Sequence, residues 1–251
     1  MPFRDELIAH LDELLDAPGS PDYGPNGLQV EGRTKIHRIV CGVSASLALL
    51  EAAAERKADA VVVHHGIVWN HASPRLVGSH RKRIKCLLEH DMNLIAYHLP
   101  LDRHMELGTA SRVAHLLGWT DLEPFGDYKG RSTGVRGHVA NESLATIATR
   151  IEEQLGRVPL VLPGGGHSIK KAAIITGEAF NDFQGAVDAG LDLFITGEPK
   201  ERAMDLAREE GVHFIAAGHY HTEAPGVRAL GAHIAQNFDV EVEFVDLPNP
   251  V

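Results

Sequence analysis

The sequence predicts an internally duplicated α/β fold, and three observations carry that expectation. Short β-branched runs alternate with helix-like stretches, as βαβ units require. Four elements then recur in the same order. Ile39-Val40-Cys41-Gly42 resembles Ile174-Ile175-Thr176-Gly177, and 58–63 resembles 191–196. The charged helix after His65 corresponds to 200–210, and Leu94-Ile95-Ala96 to Phe214-Ile215-Ala216. Finally, polar residues stand at corresponding strand ends of both copies. The competing explanation is chance likeness between generic βαβ segments.

Taken in order, Phe3, Leu7, Ile8, Leu11, Leu14 and Leu15 form an apolar stripe at helical spacing, closed by Pro18-Gly19. Residues 21–32, with Tyr23, Pro25, Asn26 and three glycines, read as an ordered loop or turn. A strand over 36–43 leads into an Ala-rich helix over 46–57. The next strand, Ala60–His64, is apolar on both faces and therefore buried and parallel. It ends in His64, His65 and Gly66. Adjacent strand residues point to opposite faces, so two histidines facing one site imply that the strand has broken there.

A loop over 66–79 carries Trp69, His71 and Pro74. A basic helix follows over 81–90, its Arg and Lys residues reading as a solvated face. The strand at 93–98 stops at Leu99-Pro100, which places Asp102 in the loop beyond it. A helix over 109–117 is closed by Gly118. From 122 to 134 the composition turns to Gly, Pro and polar residues, a boundary between a first half over 1–125 and a second over 126–251.

The second half opens with a strand at 135–139, a helix over 142–155 closed by Gly156, and a strand at 158–162. Gly164-Gly165-Gly166 lacks Gly-x-x-x-x-Gly-Lys-Ser/Thr and precedes a strand, which favours a hairpin turn over a phosphate loop. After the repeated elements comes a helix over 223–237. A last strand alternates Val240, Val242 and Phe244 with Glu241 and Glu243, as an edge strand with one wet face does.

Composition narrows the functional classes. A chain of 251 residues with 44% hydrophobic and 23% charged residues is that of an ordinary soluble globular protein. A net charge of −10 argues against a large nucleic-acid footprint. The two cysteines, Cys41 and Cys86, share no metal or redox spacing and read as reduced structural thiols. Met1–Asp16 is interrupted by six charged residues, Arg4, Asp5, Glu6, Asp12, Glu13 and Asp16, so it contains no signal-peptide apolar region. No run approaches a membrane span. A cytoplasmic location and no membrane partner are expected.

The strand ends carry the chemistry. The first copy supplies His64, His65, His98 and Asp102; the second supplies Glu198 and then His219-Tyr220-His221-Thr222-Glu223. If 219–223 is helical, His219 and Glu223 lie one turn apart on one face and can reach a common ion. Three histidines and two carboxylates exceed what one tetrahedral ion needs. With Glu223 shared between two ions, His65 and Asp102 complete one position and His64 and His219 the other. Each position stays open, which suits catalysis over a closed structural site. Mixed imidazole and carboxylate ligation suits zinc, iron or manganese alike.

Three further residues have paired readings. His98 is an acid/base candidate or a satisfied strand-end histidine. Glu198 is a hydrogen-bond partner of a ligand or a helix cap. Trp69 is a pocket wall or part of a core.

Several stretches together resemble one family. Tyr-Gly-Pro-Asn-Gly-Leu-Gln-Val-Glu-Gly (23–32), Val-His-His-Gly (63–66), His-Leu-Pro-Leu-Asp (98–102), Ile-Thr-Gly-Glu (195–198) and Gly-His-x-x-x-Glu (218–223) look like the GTP cyclohydrolase I type 2 homologues, the Nif-three-like dinuclear-metal proteins. The resemblance spans nearly the whole chain. It implies a three-layer α/β/α fold made by duplication, with mixed sheets, interlocked halves and a dinuclear site between them. It carries metal ligation onto His64, His65, Asp102, His219 and Glu223, with two divalent ions per chain. It also implies a homohexamer. The activity in the family name, GTP ring opening, is one alternative beside a metal-dependent hydrolase of a small molecule and a non-catalytic metal-dependent binder.

Overall fold

The computed structural model describes residues 2–251. The chain divides into two compact units, one of residues up to Leu101 with Val227–Leu247, the other of Asp102–Gly226 with Pro248–Val251. In chain order the elements begin with α1 (Arg4–Leu14), β1 (Gly27–Val30), β2 (Arg38–Ser44), α2 (Leu47–Glu55), β3 (Ala60–His65), α3 (Gly78–Glu89), β4 (Asn93–Ala96) and α4 (Leu99–Asp102). They continue with α5 (Thr109–Leu116), β5 (Thr120–Phe125), β6 (Gly134–Glu142), α6 (Leu144–Leu155), β7 (Leu160–Leu162) and β8 (Ile169–Ile174). The last are α7 (Phe183–Asp188), β9 (Leu193–Thr196), α8 (Ala203–Glu210), β10 (His213–Ala216), α9 (His219–Asn237) and β11 (Glu241–Phe244).

The first unit holds a 5-stranded sheet in the order β1-β4-β3-β2-β11. Strands β2, β3, β4 and β11 run parallel, while β1 pairs antiparallel to β4. Val40, Val61, Val63, Leu94 and Ala96 point to one face, against Leu49, Leu50 and Ala53 of α2 and Leu87 of α3. Ile39, Cys41, Val62 and Ile95 alternate to the other face and are equally buried. There Gly231 of α9 approaches closely, since a Cβ on it would lie 3.1 Å from Cys41 Sγ. On α1, Leu7 and Leu11 are buried, each worth about 1.5–3 kcal/mol of transfer free energy.

The second unit holds a 6-stranded sheet in the order β5-β6-β8-β9-β10-β7. Strands β8, β9 and β10 are parallel, flanked by antiparallel β6 and β7. Period-2 alternation again sorts the core. Ala172, Ile174, Leu193, Ile195 and Ile215 pack with α5 and α6, whereas Ala173, Phe194, Phe214 and Ala216 pack with α7 and α8. Each unit is thus a sheet with apolar material on both faces, which is the α/β architecture that the buried strands require.

The two units share one internal topology. Reading β1-β4-β3-β2 against β7-β10-β9-β8 gives the same order and the same strand directions. The likeness reaches individual hydrogen bonds. Asp59 Oδ2 accepts the N–H groups of His37 and Arg38 at 2.7 and 2.8 Å; Asp192 Oδ2 accepts those of Lys170 and Lys171 at 2.8 and 3.0 Å. Asn93 Oδ1 accepts the Gly32 N–H at 2.8 Å, and His213 Nδ1 accepts the Gly164 N–H at 3.1 Å. The duplication is therefore written into both strand order and bonding.

Some local expectations are corrected. The Gly164–Gly166 stretch is no hairpin turn, because β7 pairs with β10 and β8 with β9. Gly164 is instead the counterpart of Gly32: a Cβ on either would lie 2.5 Å from the backbone of Val212 or Met92, respectively. The 21–32 loop ends in a strand, β1, and β3 continues through His65 without breaking. The Gly- and Pro-rich 122–134 stretch is largely the connection between paired β5 and β6. Helix α9 starts four residues earlier than expected, so His219 and Glu223 occupy its first turns. The alternating strand β11 does lie at a sheet edge.

Candidate metal centre

The first unit gathers three imidazoles at the carboxyl ends of β3 and β4, where open α/β sheets commonly place their sites. One ring nitrogen from each of His64, His65 and His98 lies within 4.8 Å of the others. The rings of His64 and His65 are 4.7 Å apart although the residues are consecutive, and His98 lies 4.9 Å from His64. In each ring Nδ1 faces a protein oxygen. His64 Nδ1 donates to the Tyr97 carbonyl at 2.9 Å, His65 Nδ1 meets Ser44 Oγ at 2.9 Å, and His98 Nδ1 meets Asp22 Oδ1 at 2.7 Å. Such partners orient the rings and leave Nε2 of each as the atom open to a metal ion or a proton. Trp69 stands edge-on to His98 at 5.2 Å, as a wall of this group.

A loop that reads as a mere turn builds this arrangement. Asn26 Oδ1 accepts the His98 N–H at 2.8 Å, while its Nδ2 donates to Asp22 at 2.9 Å. Gln29 Oε1 accepts the N–H groups of Ile67 and Val68 at 2.8 and 3.1 Å, holding the chain just past His65. A Cβ on Gly66 would lie 2.1 Å from Gln29 Oε1, so any side chain there would displace the Gln29 amide from this position. For Asp22, burial alone would push the carboxyl pKa up. The hydrogen bond and charge of His98, with help from Asn26 and the Tyr23 N–H, overcome this and hold it below the usual range.

The second unit gathers His219, Glu223 and Glu198. His219 Nε2 lies 3.0 Å from Glu223 Oε1, one helical turn on, and its Nδ1 donates to Glu198 Oε1 at 2.5 Å. Glu198 is thus a partner of the ring and not a helix cap. Burial would lower the pKa of His219, but Glu223 and then Glu198 outweigh it and raise it to about 9. The pair favours a cation between imidazole and carboxylate, whether proton or metal ion. Backbone approaches closely here: Gly177 has φ +68, and a Cβ on it would lie 2.8 Å from Glu223 Oε1.

Asp102, at the end of α4, also belongs to the second unit. Its Oδ1 accepts hydrogen bonds from Thr109 Oγ1 at 2.5 Å and from Thr176 Oγ1 at 3.3 Å. The side chain is 7% exposed and oriented by both hydroxyls. The donor set suits a divalent metal ion: imidazoles with Nδ1 tied to protein, and buried carboxylates offering oxygen.

Sequence reasoning missed Asp22, Asn26, Gln29, Ser44, Thr109 and Thr176. Their side chains act through other groups, and only the repeated polar residues between Asp22 and Gln29 hinted at a role.

A profile of the family described as Duf34/NIF3 (NGG1p interacting factor 3) matches residues 3–250. The chain belongs to the DUF34/NIF3 family. Curated relatives in the family include a Pseudomonas aeruginosa protein 44% identical over 245 residues, 97% of each chain. Another, from Escherichia coli, is 43% identical over 249 residues, 98% of each chain. Both are named GTP cyclohydrolase 1 type 2 homolog. Among solved structures, the protein ybgI, described as of unknown function, superposes with a TM-score of 0.94 at 41% identity, covering 99% of this chain and 100% of that one. TTHA1606 from Thermus thermophilus gives 0.88 at 36% identity over 99% and 100% of the two chains. The DUF34/NIF3 fold is therefore shared over the full length of these relatives.

Proposed function

We propose that this DUF34/NIF3 protein is a metal-dependent hydrolase of a small molecule. The observation that carries the reading is the backing of the imidazoles. His64, His65, His98 and His219 each turn Nδ1 to a protein oxygen, the arrangement that orients histidines for metal ligation. His64, His65, Asp102, His219 and Glu223 are the residues that would hold divalent ions, Glu223 as the carboxylate that two of them would share. Zinc, iron and manganese all suit this set. When bound, such ions supply an acidified water and a polarised substrate oxygen. The protein's own part is positional. Thr109 and Thr176 orient Asp102, Glu198 orients His219, and His98 receives or returns a proton at Nε2.

The name shared by the relatives favours a second reading, GTP cyclohydrolase-type chemistry. Recognition of a triphosphate is its demand, and the glycine run at 164–166 lacks the phosphate-loop pattern, its Gly164 packing on Val212 and donating its N–H to His213. A non-catalytic metal-dependent binder is the third reading. We further infer a homohexamer, on the motif resemblance alone; light scattering at micromolar concentration tests it, and a monodisperse monomer overturns it.

The deciding experiment is an unbiased panel of phosphoesters, amides, esters and nucleotides, GTP included. It is run with metal-loaded protein beside Glu223→Gln. Turnover lost in the variant supports the hydrolase. Full metal content with no turnover on any substrate supports the binder.

A further inference from the structure

We propose that Asp22 is a positioning residue for His98, holding that ring's proton on Nδ1 so that Nε2 presents its lone pair to the His64 and His65 group. The inference rests on the hydrolase reading only for the use to which the lone pair is put.

The Asp22 side chain is 1% exposed, and four donors converge on it. Oδ1 takes the Tyr23 N–H at 2.6 Å and His98 Nδ1 at 2.7 Å; Oδ2 takes Asn26 Nδ2 and the Leu99 N–H at 2.9 Å each. An ionised carboxylate only accepts. Two main-chain N–H groups and an amide can only donate, so the fourth contact, the imidazole, must donate as well. The proton therefore sits on Nδ1. The ring cannot swing away either, because Asn26 Oδ1 holds the His98 main-chain N–H and Trp69 abuts the ring.

Chemically, a ring with its proton on Nδ1 starts as a base. Nε2 accepts a proton from a bound water or hydroxyl, leaving that oxygen with the electron pair of the broken O–H bond. The resulting imidazolium lies against the Asp22 carboxylate, which offsets its charge. In a later step the same proton returns from Nε2 to a leaving group.

Asp22→Asn tests this sharply. An amide offers one oxygen and one NH2, so whichever way it turns, two of the four donors face another donor. The measurement is long-range 1H–15N correlation on zinc-loaded protein labelled at histidine, with the His98 signals identified by their loss in His98→Gln. In the wild type, His98 should carry its proton on Nδ1. In Asp22→Asn the Nε2–H tautomer should rise at least tenfold, while Asp22→Glu should retain the wild-type tautomer. Wild-type protonation at Nε2 overturns the proposal. So does an unchanged tautomer in a folded Asp22→Asn protein. Should Asp22→Asn not fold, the wild-type spectrum decides alone. With a substrate from the panel, Asp22→Asn should lower kcat about 10–100-fold and leave KM nearly unchanged. If no substrate is found, the hydrolase reading fails while the tautomer result stands on its own.

Discussion

Glu198 Oε1 lies 2.5 Å from His219 Nδ1, and the opposite nitrogen of the same ring faces Glu223 at 3.0 Å. One imidazole is thereby held between two carboxylates. Replacing Glu198 by Gln removes a charge but keeps the shape. We expect metal affinity to fall about 10–100-fold with little change in fold. The pKa of His219 in the metal-free protein should drop below its value of about 9. Competition against a chromophoric chelator, with NMR titration of the ring, measures both; unaltered affinity would show that Glu198 takes no part in holding metal.

Glu223 and Asp102 should differ in what their loss does. If Glu223 bridges, Glu223→Gln weakens both ions, whereas Asp102→Asn mainly weakens one. Asp102 has its own anchors in Thr109 and Thr176, which Asn can still satisfy through its oxygen. Elemental analysis of both variants after equal dialysis decides the matter. Two metals retained at wild-type affinity in Glu223→Gln would sink the bridge.

Gly177 combines φ +68 with a Cβ position 2.8 Å from Glu223 Oε1. Ala there must strain the backbone and push the carboxylate, for a loss of about 1–3 kcal/mol. Urea unfolding should show this loss, and metal content should fall with it. A variant equal to wild type in both respects would mean that the close approach is not maintained in solution.

His213 makes stability pH-dependent. Burial lowers its pKa from 6.5, with the His167 carbonyl and Asp192 opposing and the His167 charge reinforcing the shift. As pH falls through about 6.5 the unfolded chain binds a proton that the folded chain refuses, so stability drops until the lowered folded pKa is reached. His213→Asn places in the second unit the residue type that Asn93 provides in the first. It should flatten the acid side of the profile, read as urea midpoints at pH 7.5 and 5.5. An equally steep profile in the variant would clear His213 of this role.

The sequence announces what is local and hides what acts at a distance. Strand β3 and its terminal histidines were legible because a β-branched run stands between polar neighbours. The duplication was legible because Asp59 and Asp192 sit in matching runs. Strand β1 was not, since its four residues follow a stretch rich in turn signals and become a strand only by pairing with β4, far along the chain. Strand β5 carries Pro124 and charged residues and pairs through a bulge with β6. Asp22 was invisible for a related reason: two of its four partners are main-chain groups, and His98 is 76 residues away. Candidate ligands could be proposed from residue type, whereas of the groups that face them Glu198 alone had been singled out.

The antiparallel strands that flank each sheet have a consequence for survival during synthesis. An open β edge is a template on which another chain can add. In this protein β1 spans 4 residues and β7 only 3, too short to offer more than a few unpaired N–H and C=O groups. At the opposite ends, β11 carries Glu241 and Glu243, and β5 carries Asp121, Glu123 and Pro124. A parallel β-sheet forms slowly because its strands are distant in sequence, and its half-formed edges are prone to aggregate. Both copies of the repeat end their parallel core in brief or charged borders, so neither sheet offers a newly made chain a long, sticky rim.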